Sequence, residues 1–169
     1  MTALPARRSA GWSVIWRVSY RLVRLLDPLL RSWLANGLPG LPRTVELRCI
    51  GRRSGRQRAV LLTLLTVDGR PYVGHPNGRS AWVDNIRAAG WAELDPPGAR
   101  GPRYAVVPLE PGEERDAVIR ATWSQQPFPA NLLYRAAARH VAAVGLYHRL
   151  DPLPQPGGAG PDPSHEGAS

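Results

Sequence analysis

Eight residues, Gly51-Arg52-Arg53-Ser54-Gly55-Arg56-Gln57-Arg58, hold four arginines and two glycines. Guanidinium groups grip phosphate and carboxylate oxygens in pairs, and glycines let a turn fold tightly enough to gather donors, backbone N–H groups included, around one anion. The chemistry on offer is anion binding. A nucleotide P-loop is excluded, because no Gly-Lys-Ser/Thr follows at the required spacing. The plainer alternative is a solvated hairpin tip with surface charge. A second cluster, His75-Pro76-Asn77-Gly78-Arg79, has the composition of a loop. Gly78 lets its backbone approach a flat ligand closely, although an ordinary connection fits the same residues.

Other chemistries fit less well. Ser54 lacks the surroundings of a nucleophile elbow. His75, His140, His148 and His165 show no paired ligand spacing, so no metal is expected. Cys49 is the single cysteine, which excludes an intrachain disulfide; in an alternating run it reads as a small buried side chain, and a reducing cytoplasm fits.

All 22 basic residues are arginine, against 13 acids, for a formal charge of +9. The first 60 residues hold 12 arginines and two acids, Asp27 and Glu46. That asymmetry points to a phosphate-bearing or anionic-lipid partner. Nucleic acid fits the number too, but the expected strands lack a run of exposed aromatics for base stacking, and none is expected.

These residues need a scaffold. TVELRCI and AVLLTLLTV read as two strands joined by the arginine turn, and Asp68-Gly69 marks a turn before a short strand around Tyr72-Val73. The segment SAWVDNIRAAG reads as a helix capped by Ser80 and ended by Gly90, with Trp82 and Ile86 on one face. WAEL and RYAVVPLE suggest a hairpin around PPGARGP. EERDAVIRATW opens a helix on its acidic end, residues 129–140 read as helix and 141–150 as a last strand. Residues 1–10 read as disordered, as does the Pro/Gly-rich tail from Asp151. From Trp12 to Leu34 apolar residues recur at helical steps opposite Arg17, Arg21, Arg24 and Arg31. Asp27-Pro28 is expected to break this helix in two, with Asn36-Gly37 and Pro39-Gly40 ending it. The expected organisation is a basic helical segment over 1–40, one domain over 41–150 and a tail over 151–169.

In this order, G-R-x-S-G-x-x-R on a first hairpin followed by W-x-x-N-[IL]-R-A-x-G on a helix resembles the deazaflavin-dependent nitroreductase family over about Thr44 to Thr122. The resemblance implies an α+β, mainly antiparallel fold, a split β-barrel with flanking helices, and coenzyme F420 as cofactor; FMN is the alternative. It implies that Ile50, Gly51, Arg52, Arg53, Ser54 and Gly55, with Arg58 and Val60 alongside, hold the coenzyme's phosphate end. It places the deazaflavin ring against His75, Pro76, Asn77 and Gly78, with Trp82 and Asn85 contributing from the helix. This chain departs from that family in a compressed loop, HPNGRSAW, and in the valine after Trp82, so the ring site differs in shape.

The activity implied is hydride transfer from the reduced coenzyme to a planar electron-poor acceptor, a quinone or nitroaromatic. A noncatalytic coenzyme carrier is the rival. Tyr134 either lines the acceptor pocket, donates a proton, or packs on the barrel. The helix over residues 12–34 either lies on an anionic membrane surface, which would place a cytoplasmic protein at the inner face of the membrane, or covers the barrel or a second copy in a homodimer.

Overall fold

The structure is a computed structural model that describes residues 3–35, 43–78, 80–95 and 101–154. Strands β1 (Thr44–Ile50) and β2 (Gln57–Thr63) pair antiparallel along their whole length, with Ile50 opposite Gln57 at the arginine turn. β3 (Leu65–Val67) and β4 (Arg70–His75) follow, joined by Asp68 and Gly69 at φ 48° and 75°, the two left-handed residues of a tight hairpin turn. β5 (Trp91–Asp95), β6 (Arg103–Pro108) and β7 (Leu146–Pro152) complete a seven-stranded antiparallel sheet ordered β2-β1-β5-β6-β7-β4-β3.

That order dictates the shape. The edge strands β2 and β3 are consecutive in the chain, separated only by Leu64, whose N–H leaves the ladder to bond Arg43 O at 2.9 Å. A sheet whose first and last strands are one residue apart must curl until its edges approach, giving a barrel left open along one seam.

Among the described residues five helices flank it: α1 (Ala10–Ala35), α2 (Ala81–Ala89), α3 (Glu113–Gln125), α4 (Ala130–Ala136) and α5 (Ala138–Val144). Strands β4 and β7 are buried on both faces. Tyr72 and Tyr147 face Trp16, Val118, Ile119, Tyr134 and Val141, whereas Val73 and Leu150 face Leu47, Cys49, Ile86, Ala92 and Leu94. Burial raises the Cys49 thiol pKa, as suits an inert packing residue.

Several expectations change. The Asp27-Pro28 break is absent: α1 runs unbroken through Pro28, the one lost amide bond being carried by turns on either side. Residues 3–9 are tied down rather than loose, since Leu4 N–H bonds Asp116 Oδ2, Arg7 N–H bonds Arg139 O and Ser9 N–H bonds His140 Nδ1. Those partners lie far along the chain, where local pattern cannot reveal them. The run AVLLTLLTV divides at Leu64 because the chain crosses there from one sheet edge to the other. The last strand begins at Leu146, after helix α5, and continues through Asp151 and Pro152; Leu153 N–H then bonds Arg103 O. The expected turns at Asn36-Gly37, Pro39-Gly40 and Pro96 to Arg100, the residue Arg79 and the tail beyond Pro154 lie outside the described residues.

Candidate functional site

The β1–β2 turn is built around Gly51. Its N–H bonds Arg56 O at 2.8 Å, and its carbonyl accepts from Ser54 and Gly55 N–H at 3.2 and 2.8 Å. Gly55 sits at φ 62°, and a side chain at Gly51 would meet Ser54 Oγ at 2.9 Å, so both glycines are required by the turn itself. Arg52 N–H goes to Asn85 Oδ1 and Arg56 N–H to Ser54 Oγ. The N–H groups of Gly51, Arg52, Ser54, Gly55 and Arg56 are therefore all engaged within the protein. An anion at this turn would therefore meet side chains rather than the cradle of N–H groups expected from the glycines.

The arginines divide into two kinds. Arg52 is anchored, its guanidinium 3.3 Å from Asn85 Oδ1 and 3.2 Å from Asp84 Oδ2 on α2. Arg53, Arg56 and Arg58 are exposed, and among the described residues no acidic or amide side chain takes up their guanidinium groups. Val60 packs toward the second core cluster, and Ile50 at the strand end is 36% exposed.

Helix α2 joins this turn to the second motif. Ser80 caps it, its hydroxyl accepting from Val83 N–H, and Gly90 closes it in the left-handed conformation. Trp82, in the first turn, lies 6.2 Å from the His75 ring; Asp84 and Asn85, just beyond, hold Arg52. At 1.5 Å rise per residue, about 5 Å of helix separates the two contacts. The structure thus gathers the arginine turn, Trp82, Asn85 and the loop His75 to Gly78 around the start of one short helix.

His75 ends β4 and is buried, its Nδ1 accepting from Asn77 N–H at 3.3 Å. Asn77 is held twice: Nδ2 donates to Ser13 O of α1 at 3.3 Å, and Oδ1 lies 3.0 Å from His140 Nε2. Because His140 Nδ1 accepts from Ser9 N–H, Nε2 carries the proton and donates to Asn77. Gly78, at φ 72°, passes close to Val144 O. Pro76 is buried in the same loop.

Tyr134 is 6% exposed, packed edge-on against Trp16 at 4.8 Å, with the Tyr20 hydroxyl as its side-chain neighbour. Burial raises its pKa well above the ordinary phenol value. Tyr20 in turn stacks on His75, with ring centroids 4.4 Å apart. Sequence reasoning missed Tyr20, Asp84 and His140. Tyr20 lies four residues after Trp16 on the same helical face, which is a usable signal; the other two pairings leave none.

Burial lowers His75 to a pKa of about 4, a Gly78 backbone bond only partly opposing it, and burial with the nearby Arg87 charge brings His148 to about 4 as well. An unfolded histidine titrates near 6.5. Above that pH both states are neutral; between about 6.5 and 4 only the unfolded chain takes up the protons, so stability falls as pH falls through this window. Thermal melts at pH 7 and pH 5 should differ by on the order of 3 kcal/mol, about 10 °C in Tm. A midpoint that is flat over this range would show that the two rings are not buried neutral.

Among the described residues no group of three His, Cys, Asp or Glu side chains could hold a metal ion, and no helix is long and apolar enough to cross a membrane.

No protein-family model matches the sequence, and no curated protein matches it. Solved structures do. A domain-swapped dimer is 17% identical over 79% of this chain and 98% of its own, with a TM-score of 0.50. An F420-H2 dependent reductase, FDR-A, is 18% identical over 64% of this chain and 94% of its own, with a TM-score of 0.50. The heme storage protein HutZ from Vibrio cholerae is 12% identical over 76% of this chain and 89% of its own, with a TM-score of 0.51. At these identities the likeness is one of fold, and the fold is the split barrel.

Proposed function

We propose that this protein binds a deazaflavin coenzyme of the F420 type and serves hydride transfer from its reduced form to a planar, electron-poor acceptor such as a quinone or nitroaromatic. One observation carries the reading: α2 holds Arg52 of the arginine turn through Asp84 and Asn85 while its Trp82 borders the His75 loop. An anion grip and an aromatic-lined loop are thereby fixed relative to each other, as an elongated ligand with a charged tail and a flat head requires. The exposed guanidiniums of Arg53, Arg56 and Arg58 suit the phosphate end, and a neutral His75 beside Trp82 suits a planar ring. FDR-A, with the same fold, is a named F420-H2 dependent reductase, which favours a deazaflavin over FMN.

The bound coenzyme would supply the hydride. The chain's part is to fix distance and angle and to keep the cleft dry. Residues Ile50 to Gly55, with Arg58 and Val60, would hold the phosphate end; His75, Pro76, Asn77, Gly78, Trp82 and Asn85 would border the ring. Tyr134 is the candidate proton source for the reduced acceptor.

Anaerobic mixing of protein, reduced deazaflavin and a menadione-like acceptor tests the enzyme reading. Acceptor-dependent oxidation of the coenzyme well above the rate without protein supports it; tight binding with no such acceleration leaves a carrier. Preferential binding of FMN, or a heme Soret shift with no deazaflavin binding, would move the ligand to another class.

Helix α1 supports a location as well. At about 100° per residue, Val14, Val18, Leu22, Leu25, Leu29, Ile15 and Leu26 fall within about 120° of arc. All are exposed, from 41% at Leu26 to 76% at Leu25, and Arg17 and Arg21 flank them. An apolar arc beside Arg17 and Arg21 fits an anionic bilayer surface, where a lipid quinone would be at hand. Flotation with anionic vesicles should recover the protein at low salt, and Leu25→Glu with Leu29→Glu should reduce recovery at least tenfold. Unchanged flotation of that variant would contradict the assignment. A dimer mass in solution that the same variant abolishes would assign the arc to a second copy instead.

A further inference from the structure

His75 is the residue of the loop best suited to meet a flat ring, and it is 5% exposed. A segment of the chain itself lies over it. Tyr20 of α1 lies on its face with ring centroids 4.4 Å apart and planes 28° from parallel, while Trp82 borders it at 6.2 Å and 57°. Near-parallel rings at such a spacing are how two planar π systems pack. The loop is also latched to the helix, since Asn77 Nδ2 donates to Ser13 O and Asn77 Oδ1 accepts from His140, which holds Ser9 N–H. Beyond this contact α1 presents exposed leucines, among them Leu25 at 76% and Leu29 at 67%.

We propose that α1 beyond Trp16 is a displaceable cover over the ring loop, with Tyr20 occupying on His75 the place that a planar ligand takes when it binds. The inference rests on the ring assignment made above: a ring cannot lie against His75 while Tyr20 does. Exchange of one neutral aromatic for another leaves the stacking on His75 intact. Trp16, 4% exposed in the core, stays in place; beyond it the contacts given up are the Tyr20 ring stack and the Tyr20–Tyr134 contact, so the covered and uncovered states stay close enough for a ligand to choose between them. In the covered state only the fraction of molecules with α1 displaced binds, and the apparent affinity falls by that fraction.

The test is a fluorescence-quenching titration of the deazaflavin against wild-type protein, Tyr20→Phe and Tyr20→Ala. Phe keeps the ring and should match wild type within about twofold. Ala removes the competing ring and should bind roughly three- to tenfold more tightly, the size of one aromatic contact. Equal or weaker binding by Tyr20→Ala overturns the cover and leaves the deazaflavin reading standing; no quenching by any of the three proteins overturns that reading and the cover with it. A second readout needs no variant. Saturating deazaflavin should accelerate tryptic cleavage of the wild-type chain after Arg17 and Arg21 by several-fold, and unchanged or slower cleavage contradicts displacement.

Discussion

Replacing Arg53 and Arg56 together by glutamate should lower deazaflavin affinity about a hundredfold, while the thermal midpoint stays within a degree or two of wild type. Both guanidiniums are exposed, and no described acidic or amide side chain engages them, so the fold loses nothing with them. A charge-assisted hydrogen bond to an anion contributes about 1.5–3 kcal/mol, and two such losses reach a hundredfold even after screening by solvent. Arg52 behaves differently. Its substitution by glutamate breaks the contacts to Asp84 and Asn85 and frees the turn from α2, so affinity and stability should fall together. Titration at 50 and 300 mM salt should show the wild-type affinity weakening and the double variant nearly insensitive. Wild-type affinity in the double variant would remove the turn from the binding site.

Gly74→Ala is expected to destabilise the protein more than any change in the turn. Gly74 pairs with Tyr147 across β4 and β7, and a Cβ at that position would fall within the Tyr147 ring. Tyr147 is 2% exposed and locked in the cluster with Trp16, Tyr72 and Val141, so it cannot withdraw. Overpacking of this kind costs about 3 kcal/mol, or about 6–12 °C in Tm for a chain of this size. Denaturant melts would show it as a lower midpoint at an unchanged slope. A midpoint within experimental error of wild type would mean that β4 and β7 are not in this register.

What could be read from the residues was local. Ser80 and Gly90 bound α2 because a hydroxyl cap and a left-handed glycine act within one turn of helix. The alternation in TVELRCI put Leu47 and Cys49 inside because strand side chains alternate between faces, and Asp68-Gly69 marked its turn through backbone conformation alone. The remainder depends on contacts between distant segments. Nothing near Leu64 announces that the chain crosses there between the two edges of the sheet. Nothing near Ser9 announces that His140 will receive its N–H. Pro28 was the opposite case, a strong local signal that the rest of α1 overrides. At the candidate site, residue types pointed to an anion and a flat ring. The division of labour among the arginines did not show, because it depends on Asp84 and Asn85, more than thirty residues along the chain.

The central claim is that the guanidiniums of the β1–β2 turn hold the charged end of a deazaflavin. Its most direct test compares two ligands on the same wild-type protein by fluorescence quenching: the complete coenzyme, and the same deazaflavin chromophore lacking the phosphate and all that follows it. A preference of about a hundredfold for the complete molecule, shrinking as salt is raised, is the predicted result. Equal affinity for both, indifferent to salt, would contradict the account.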